Sequence, residues 1–245
     1  MSEPIKIFIG TSANGEDAEA EMTYEYTLRK NTAAELDITW MKQTHDTSSL
    51  WGGWDTKQWS TPFSGFRWAI PEACGFKGRA IYTDCDMLNL KDISELINVD
   101  MEDKPIVARS GNRFGGKEFC VTVFDCELFE ELSLPVNRMK VVPEAHRRLI
   151  AKFSKSQSLV GHLDARWNCL DGENRPIEDM WQLHFTNMGS QPWNPAWFTG
   201  TKEYHKRPEL IHLWNESKLD AIDAGYKVSD YIPEEPFGAY NIIGK

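Results

Sequence analysis

Apolar residues fall in short runs along this chain, separated by polar and glycine-containing stretches. Ile5-Lys-Ile-Phe-Ile-Gly10 is one such run, ending in Gly-Thr-Ser, and predicts a buried first strand. Asn14-Gly15 marks a turn. Residues 16–31 then carry helix formers with apolar positions at Ala18, Met22 and Tyr26, and Leu36 to Trp40 follows as a second strand. A strand, a long crossover and a second strand predict a parallel pair. Arg79 to Thr83 is a third buried strand running straight into Asp84-Cys85-Asp86. Lys104 to Ala108 and Glu118 to Phe124 predict two more, separated by Gly111, Gly115 and Gly116. Helices are expected at 66–74 (interrupted at Pro71), 144–153 and 209–224.

Residues 44–66 are rich in Thr, Ser, Gly and Trp without periodicity, which predicts a long loop of the kind that often carries function. The last twenty residues, with Pro233 and Pro236, predict an extended tail packed on the domain. No internal repeat, low-complexity tract or linker interrupts the sequence. The expected architecture is one α/β domain over 1–245, with a mostly parallel central sheet flanked by helices.

Composition sharpens this in a few places. Lys+Arg 27 against Asp+Glu 37 leaves a net charge of −10, which disfavours nucleic acid and anionic membrane as partners. A chain of 245 residues buries roughly 70–75% of its unfolded surface and needs no disulfide or metal to fold. No run of about 18 apolar residues is present, so no membrane span is expected. Met1-Ser-Glu-Pro lacks the basic and apolar regions of a secretory signal. The five cysteines form no CxxC pair and are expected to be reduced thiols, so the expected compartment is cytoplasmic. Ten tryptophans are many for this length; such a density can serve a core or hold sugar rings and bases.

Asp84 and Asp86 are the sharpest chemical feature. In extended backbone, residues i and i+2 point to one side with Cα atoms about 6.6 Å apart, so two carboxylates can converge on one divalent ion. Ligand sites in open α/β sheets lie beyond the carboxyl ends of strands. A carboxylate-bound ion keeps open positions for substrate phosphates, and it screens a diphosphate from a protein of net negative charge. The competing reading is a polar strand-to-loop turn, where Asp is common.

The stretch Phe63-Ser-Gly-Phe-Arg67-Trp-Ala-Ile-Pro71-Glu, followed by Ala80-Ile-Tyr-Thr83-Asp84-Cys85-Asp86, resembles the donor-site region of the family 8 glycosyltransferases, relatives of glycogenin and of bacterial lipopolysaccharide glycosyltransferases. Leu183-His184-Phe-Thr-Asn-Met-Gly189-Ser190-Gln191-Pro192-Trp193 is similar to the family's His-x-x-Gly-x-x-Lys-Pro-Trp motif. The resemblance covers roughly residues 5–195. It implies a GT-A fold, a UDP-sugar donor, bound Mn²⁺ or Mg²⁺, a carbohydrate acceptor and transfer with retention. By position it implies that Gly10, Thr11 and Ser12 open the nucleotide pocket, Thr11 and Ser12 lining the uridine. Arg67 would face the donor, and Thr83 to Asp86 would edge its site. Asp84 would touch ribose and metal, and Asp86 and His184 would complete the metal's ligands. The donor half would span about 1–110 and the acceptor half about 111–245.

The sequence departs from the family in two motifs. Where the family has Lys six residues after the His, Ser190 stands here, and Gln191 precedes Pro-Trp. A neutral Gln191 offers the departing diphosphate no cation, so a metal must carry more of that task. The family's Asp-Gln-Asp-x-x-Asn segment is met only by Gly161-His-Leu-Asp164-Ala-Arg166-Trp-Asn168. Asp164 is the candidate polar group near the anomeric carbon; its competing reading is a helix N-cap or an ion pair to Arg166.

His184 can also be read as a satisfied core histidine; the other histidines (His45, His146, His162, His205 and His212) fit no ligand spacing with it. Trp51, Trp54 and Trp59 are either anchors pinning the long loop or an acceptor platform, with Asp55 and Gln58 bonding hydroxyls. Trp193 and Trp197 are expected to close the domain under the His184 segment. Gly111 to Gly116 lacks the ending of a phosphate loop and reads as a turn near the donor sugar. A metal-dependent retaining glycosyltransferase is the leading function. A catalytically weak nucleotide-sugar or glycan-binding module is the alternative. A sugar nucleotidyltransferase is disfavoured because residues 10–17 contain no Lys or Arg.

Overall fold

The computed structural model describes residues 3–111, 116–193 and 200–243. The chain begins with β1 (Ile5–Gly10), α1 (Ala18–Asn31) and β2 (Leu36–Met41), and after a long loop continues with α2 (Ile70–Ala73), β3 (Arg79–Asp84) and β4 (Met87–Asn89). Next come α3 (Ser94–Ile97), β5 (Ile106–Ser110), β6 (Lys117–Asp125), α4 (Cys126–Phe129), α5 (Val136–Val141) and α6 (Ala145–Ser154). The chain closes with β7 (Val160–His162), β8 (Cys169–Leu170), β9 (Gln182–His184) and α7 (Pro208–Asp223).

Six strands form the central sheet in the order β2-β1-β3-β6-β5-β7. β1 is parallel to β2 and β3, β5 is parallel to β7, and β6 runs antiparallel between β3 and β5. Among the described strands of this sheet, β6 alone is reversed, so the expected mostly parallel sheet is the one found. Both faces are covered, which is why the strands read as continuous apolar runs. Side chains alternate between faces: Phe8, Ala80 and Tyr82 join one core layer with Trp68, Phe124 and Phe153. Ile7, Ile9 and Ile81 join the other with Tyr24 and Leu28 of α1. No helix of the described residues is long and apolar enough to cross a membrane.

A second sheet, β4-β9-β8, packs with Trp193 and with Leu210 and Trp214 of α7. Strands of two or three residues carry no readable alternation, so none of these three was expected. Pro71 does not interrupt a helix. A 3-10 turn covers Phe66–Ala69, and Pro71 lies in the first turn of α2, where its missing N–H costs no hydrogen bond.

The loop over 44–66 is irregular, as expected, and the tail fastens it. Thr56 Oγ1 donates to Asn241 O at 2.8 Å, Ile243 N donates to Trp59 O at 2.9 Å, and Ile242 is buried in the core. Farther back on the tail, Phe237 N donates to Ala13 O at 3.2 Å.

Candidate functional site

The site forms where the central sheet gives way to the second one. β3 ends at Asp84, whose register partner on β1 is Gly10. A Cβ at Gly10 would stand 2.6 Å from the Phe63 ring and 2.8 Å from the Tyr82 hydroxyl, so only glycine allows this close approach. The Asp84-Cys85-Asp86 segment does not stay extended. Cys85 N donates to Gly10 O at 3.1 Å, and the chain bends through Cys85 and Asp86 before entering β4. The i, i+2 geometry therefore does not account for the convergence of carboxylates here; the bend does.

β4 pairs antiparallel with β9, and Met87 stands opposite His184. Phe185 N donates to Asp86 O at 2.9 Å, locking the two segments together. His184 Nε2 consequently lies 3.2 Å from Asp86 Oδ1, while its Nδ1 lies 3.0 Å from Asn168 Oδ1. On the other side of β3, Thr83 pairs with Val121 of β6, which sets Cys120 beside Asp84. Ligand atoms of Asp84, Cys120 and His184 all lie within 4.8 Å of one another.

Charge at this junction is tightly held. Burial pushes the Asp86 carboxyl up, and His184 draws it partly back. Burial would depress His184, but Asp86 beside it outweighs this and the imidazole is raised. Asp84 accepts hydrogen bonds from the Tyr82 hydroxyl and, at 3.5 Å, from Arg67 Nη2. The buried Arg67 is oriented by Ser64 O (2.8 Å) and Phe119 O, and its guanidinium stacks 4.3 Å above the Tyr82 ring. Gln191 Nε2 donates to Phe185 O at 2.8 Å and reaches Asp86 Oδ2 at 3.4 Å. Asp17, Phe63, Cys85, Asp86, Met188 and Gln191 border a cavity of about 40 Å³.

The structure brings Arg67, Asp84, Asp86, His184 and Gln191 together. Thr83 and Cys85 belong to the same segment but are buried, and burial pushes the Cys85 thiol up. Thr11 and Ser12 sit at the carboxyl end of β1 with no exposed surface. Thr11 Oγ1 donates to Glu21 at 2.7 Å. The tail covers this corner: Ala13 N donates to the Tyr240 hydroxyl at 2.7 Å, and Asn14 and Gly238 exchange two hydrogen bonds of 2.8 and 2.9 Å.

Asp164 is not among the converging groups. Its carboxylate caps the 3-10 turn of Ala165–Asn168 by accepting from Arg166 N at 2.9 Å, and it pairs with the Arg166 guanidinium at 2.6 Å. That partner holds its carboxyl below the usual range. These are the contacts that the capping and ion-pair reading expects. Trp197 and residues 112–115 lie outside the described residues; Trp193 packs on Phe185 and Trp214.

The tryptophan loop leans on the core. Trp51 packs edge-on against Phe8 and Phe66, Trp54 packs against Trp59 and Phe66, and Trp59 is 2% exposed. Trp51 and Trp54 also border a 210 Å³ pocket with Gln43, His45 and Phe237. Gln43 Oε1 is buried there without a hydrogen-bond partner.

Four groups at or near the site escaped sequence reasoning. Cys120 reads in the sequence as one of five reduced thiols, and Asn168 as part of a poorly matched motif. Asp17, which accepts from Trp193 Nε1 at 3.1 Å, is pushed up to about 6 by burial, yet an acid before a helix reads as an ordinary cap. Arg109, 3% exposed, donates to Asn168 O and to Glu173, with Glu118 3.6 Å from its Nε. The one available signal for it was a charged residue ending the apolar run Ile106-Val-Ala.

No protein-family model matches the sequence. The curated Protein CDI of Arabidopsis thaliana is 25% identical over 236 residues, covering 86% of this chain and 85% of that protein. Among solved structures, the glycosyltransferase GlyE of Streptococcus pneumoniae TIGR4 superposes with a TM-score of 0.62 at 15% identity, over 98% of this chain and 66% of GlyE. The bifunctional glycosyltransferase WbbM gives 0.58 at 12% identity, over 91% of this chain and 52% of WbbM. The galactosyltransferase LgtC, solved with donor and acceptor sugar analogues, gives 0.54 at 11% identity, over 88% of this chain and 96% of LgtC. The chain thus spans about two thirds of GlyE and half of WbbM. It has the GT-A type of fold these glycosyltransferases share.

Proposed function

We propose that the protein is a metal-dependent glycosyltransferase of the family 8 kind. It moves a hexose from a UDP-sugar to a hydroxyl of a carbohydrate acceptor, with retention of configuration. The observation that carries this reading is the meeting of Asp84, Asp86 and His184 at the carboxyl end of β3, where open α/β sheets bind ligands. The donor set suits a divalent ion: two carboxylates, an imidazole, and an Asp86 Oδ1 that is buried without a hydrogen bond. Asp84, Asp86 and His184 would hold Mn²⁺ or Mg²⁺, which would supply charge neutralisation to the departing diphosphate.

The protein's own groups do the rest. Arg67, fixed by Ser64 O and Phe119 O, holds the Asp84 carboxylate in place and keeps a positive charge at the donor edge. Gln191, anchored on Phe185 O, offers an amide to the phosphates without a formal charge. The donor half takes about residues 1–110 and the acceptor half about 111–245; the Trp51 and Trp54 pocket, built mainly from the first half with Phe237 of the second, also meets the acceptor.

The neutral Gln191 favours a second reading, a nucleotide-sugar-binding module with little catalysis. Turnover of UDP-sugars with Mn²⁺ separates the two. The enzyme reading expects hydrolysis or transfer that needs the ion and is lost in Asp86→Ala. Tight UDP binding with no turnover on any acceptor would leave the module.

A further inference from the structure

Cys120 stands where an ordinary core thiol would not. Cys85, Cys126 and Cys169 are buried and Cys74, like Cys120, is half-buried, but Cys120 Sγ belongs to a three-atom group with Asp84 and His184, all within 4.8 Å. Strand geometry accounts for this: β6 pairs with β3 through Thr83 and Val121, so residue 120 lies beside the last carboxylate of β3. A tetrahedral ion about 2.0–2.3 Å from its ligands holds them roughly 3.3–3.8 Å apart, so contraction of about 1 Å closes the observed group on a metal. Asp86 lies 3.2 Å from His184 Nε2, with Oδ1 buried and lacking a hydrogen bond, and supplies the fourth corner.

We infer that Cys120 is a ligand of the ion in this site, its thiolate joining Asp84, Asp86 and His184 in a set that prefers Zn²⁺ or Co²⁺ to Mg²⁺, with a donor phosphate oxygen entering as a further ligand. The inference rests on the metal-dependent reading above and deepens it. Carboxylates alone suit hard ions such as Mg²⁺ and Mn²⁺; adding an imidazole and a thiolate moves preference toward borderline ions. Mg²⁺ demands a near-octahedral oxygen shell and gains nothing from sulfur. Binding releases the Cys120 proton to solvent, so affinity rises with pH.

Co²⁺ titration of the full chain tests this directly. A near-ultraviolet thiolate-to-cobalt charge-transfer band is expected at one equivalent. In Cys120→Ser the band vanishes, while Co²⁺ still binds through the other three groups with affinity lowered roughly tenfold or more. Cys85→Ser keeps the band. Co²⁺ binding without that band, or with the band intact in Cys120→Ser, overturns the role of Cys120 and leaves the metal-dependent reading standing. No binding of Co²⁺ or Mn²⁺ by calorimetry overturns both. Should Cys120→Ser fail to fold, alkylation of the native protein decides. One equivalent of Zn²⁺ is expected to protect Cys120 from iodoacetamide, mapped by mass spectrometry, and an unchanged alkylation rate overturns the inference.

Discussion

Asp86 and His184 stand 3.2 Å apart because one residue precedes β4, the other ends β9, and those strands pair antiparallel. The same imidazole is held from behind by Asn168, whose Oδ1 lies 3.0 Å from Nδ1. A proton on Nδ1 donated to that oxygen leaves the Nε2 lone pair facing the carboxylates, the tautomer a metal requires.

Asn168 should therefore act on metal affinity without touching the ion. Asn168→Ala is expected to weaken Mn²⁺ binding about 10–100-fold, the usual cost of losing such a partner. Asn168→Asp keeps an acceptor in place and should restore most of it. Calorimetric titration of both variants checks this; equal losses in the two would show that side-chain packing, not the acceptor, matters.

The elements legible in sequence were those long enough to show a period. β1, α1, β2, β3 and β6 emerged close to their observed bounds because each face of the sheet is buried and α1 lies over one of them. β4, β8 and β9 span two or three residues, too few for alternation, yet they align Asp86 with His184. For the site, Asp84 and Asp86 stood out by their spacing, and the resemblance to the family 8 motifs is what grouped Arg67, His184 and Gln191 with them. Asp164 was ambiguous in sequence because a short acid near an arginine satisfies a cap and a motif equally well; the structure shows the cap and the Arg166 ion pair. Asp17 and Cys120 stayed hidden because their roles depend on non-local contacts, to Trp193 in one case and across β3 in the other.

Glu21 is fully buried and met by Lys42 at 2.6 Å and Thr11 at 2.7 Å. Burial pushes its carboxyl up to about 7, against the pull of Lys42. The folded state therefore holds a proton that the unfolded state has released, and stability falls as pH rises from about 4.5 through about 7. Lys42→Met removes the cation, so Glu21 must either stay protonated or sit charged with only the Thr11 hydroxyl to meet it. The variant should lose about 3 kcal/mol at pH 8.5, the lower end for breaking a buried pair, and clearly less at pH 5.5. Denaturant melts at the two pH values check the sign, and a deficit independent of pH would rule out this account.

The tail sets the last expectation. Tyr240 accepts from Ala13 N and lies 3.0 Å from Glu16 Oε2, Phe237 stacks on His45 with ring centroids 4.4 Å apart, and Ile242 is 6% exposed. These contacts fasten the tail beside Thr11 and Ser12, which have no exposed surface and which the family resemblance places at the donor's uridine. If a nucleoside is to reach the buried Thr11 and Ser12, the tail beside them must undock, and the apparent UDP affinity then carries the cost of undocking. Ile242→Ala should weaken docking by about 2 kcal/mol if the tail alone bears the loss. UDP affinity should then rise by up to about 30-fold, with faster amide exchange at Ala13 and Asn14. Faster exchange with unchanged or weaker UDP binding would show that the nucleoside lies elsewhere than on Thr11 and Ser12.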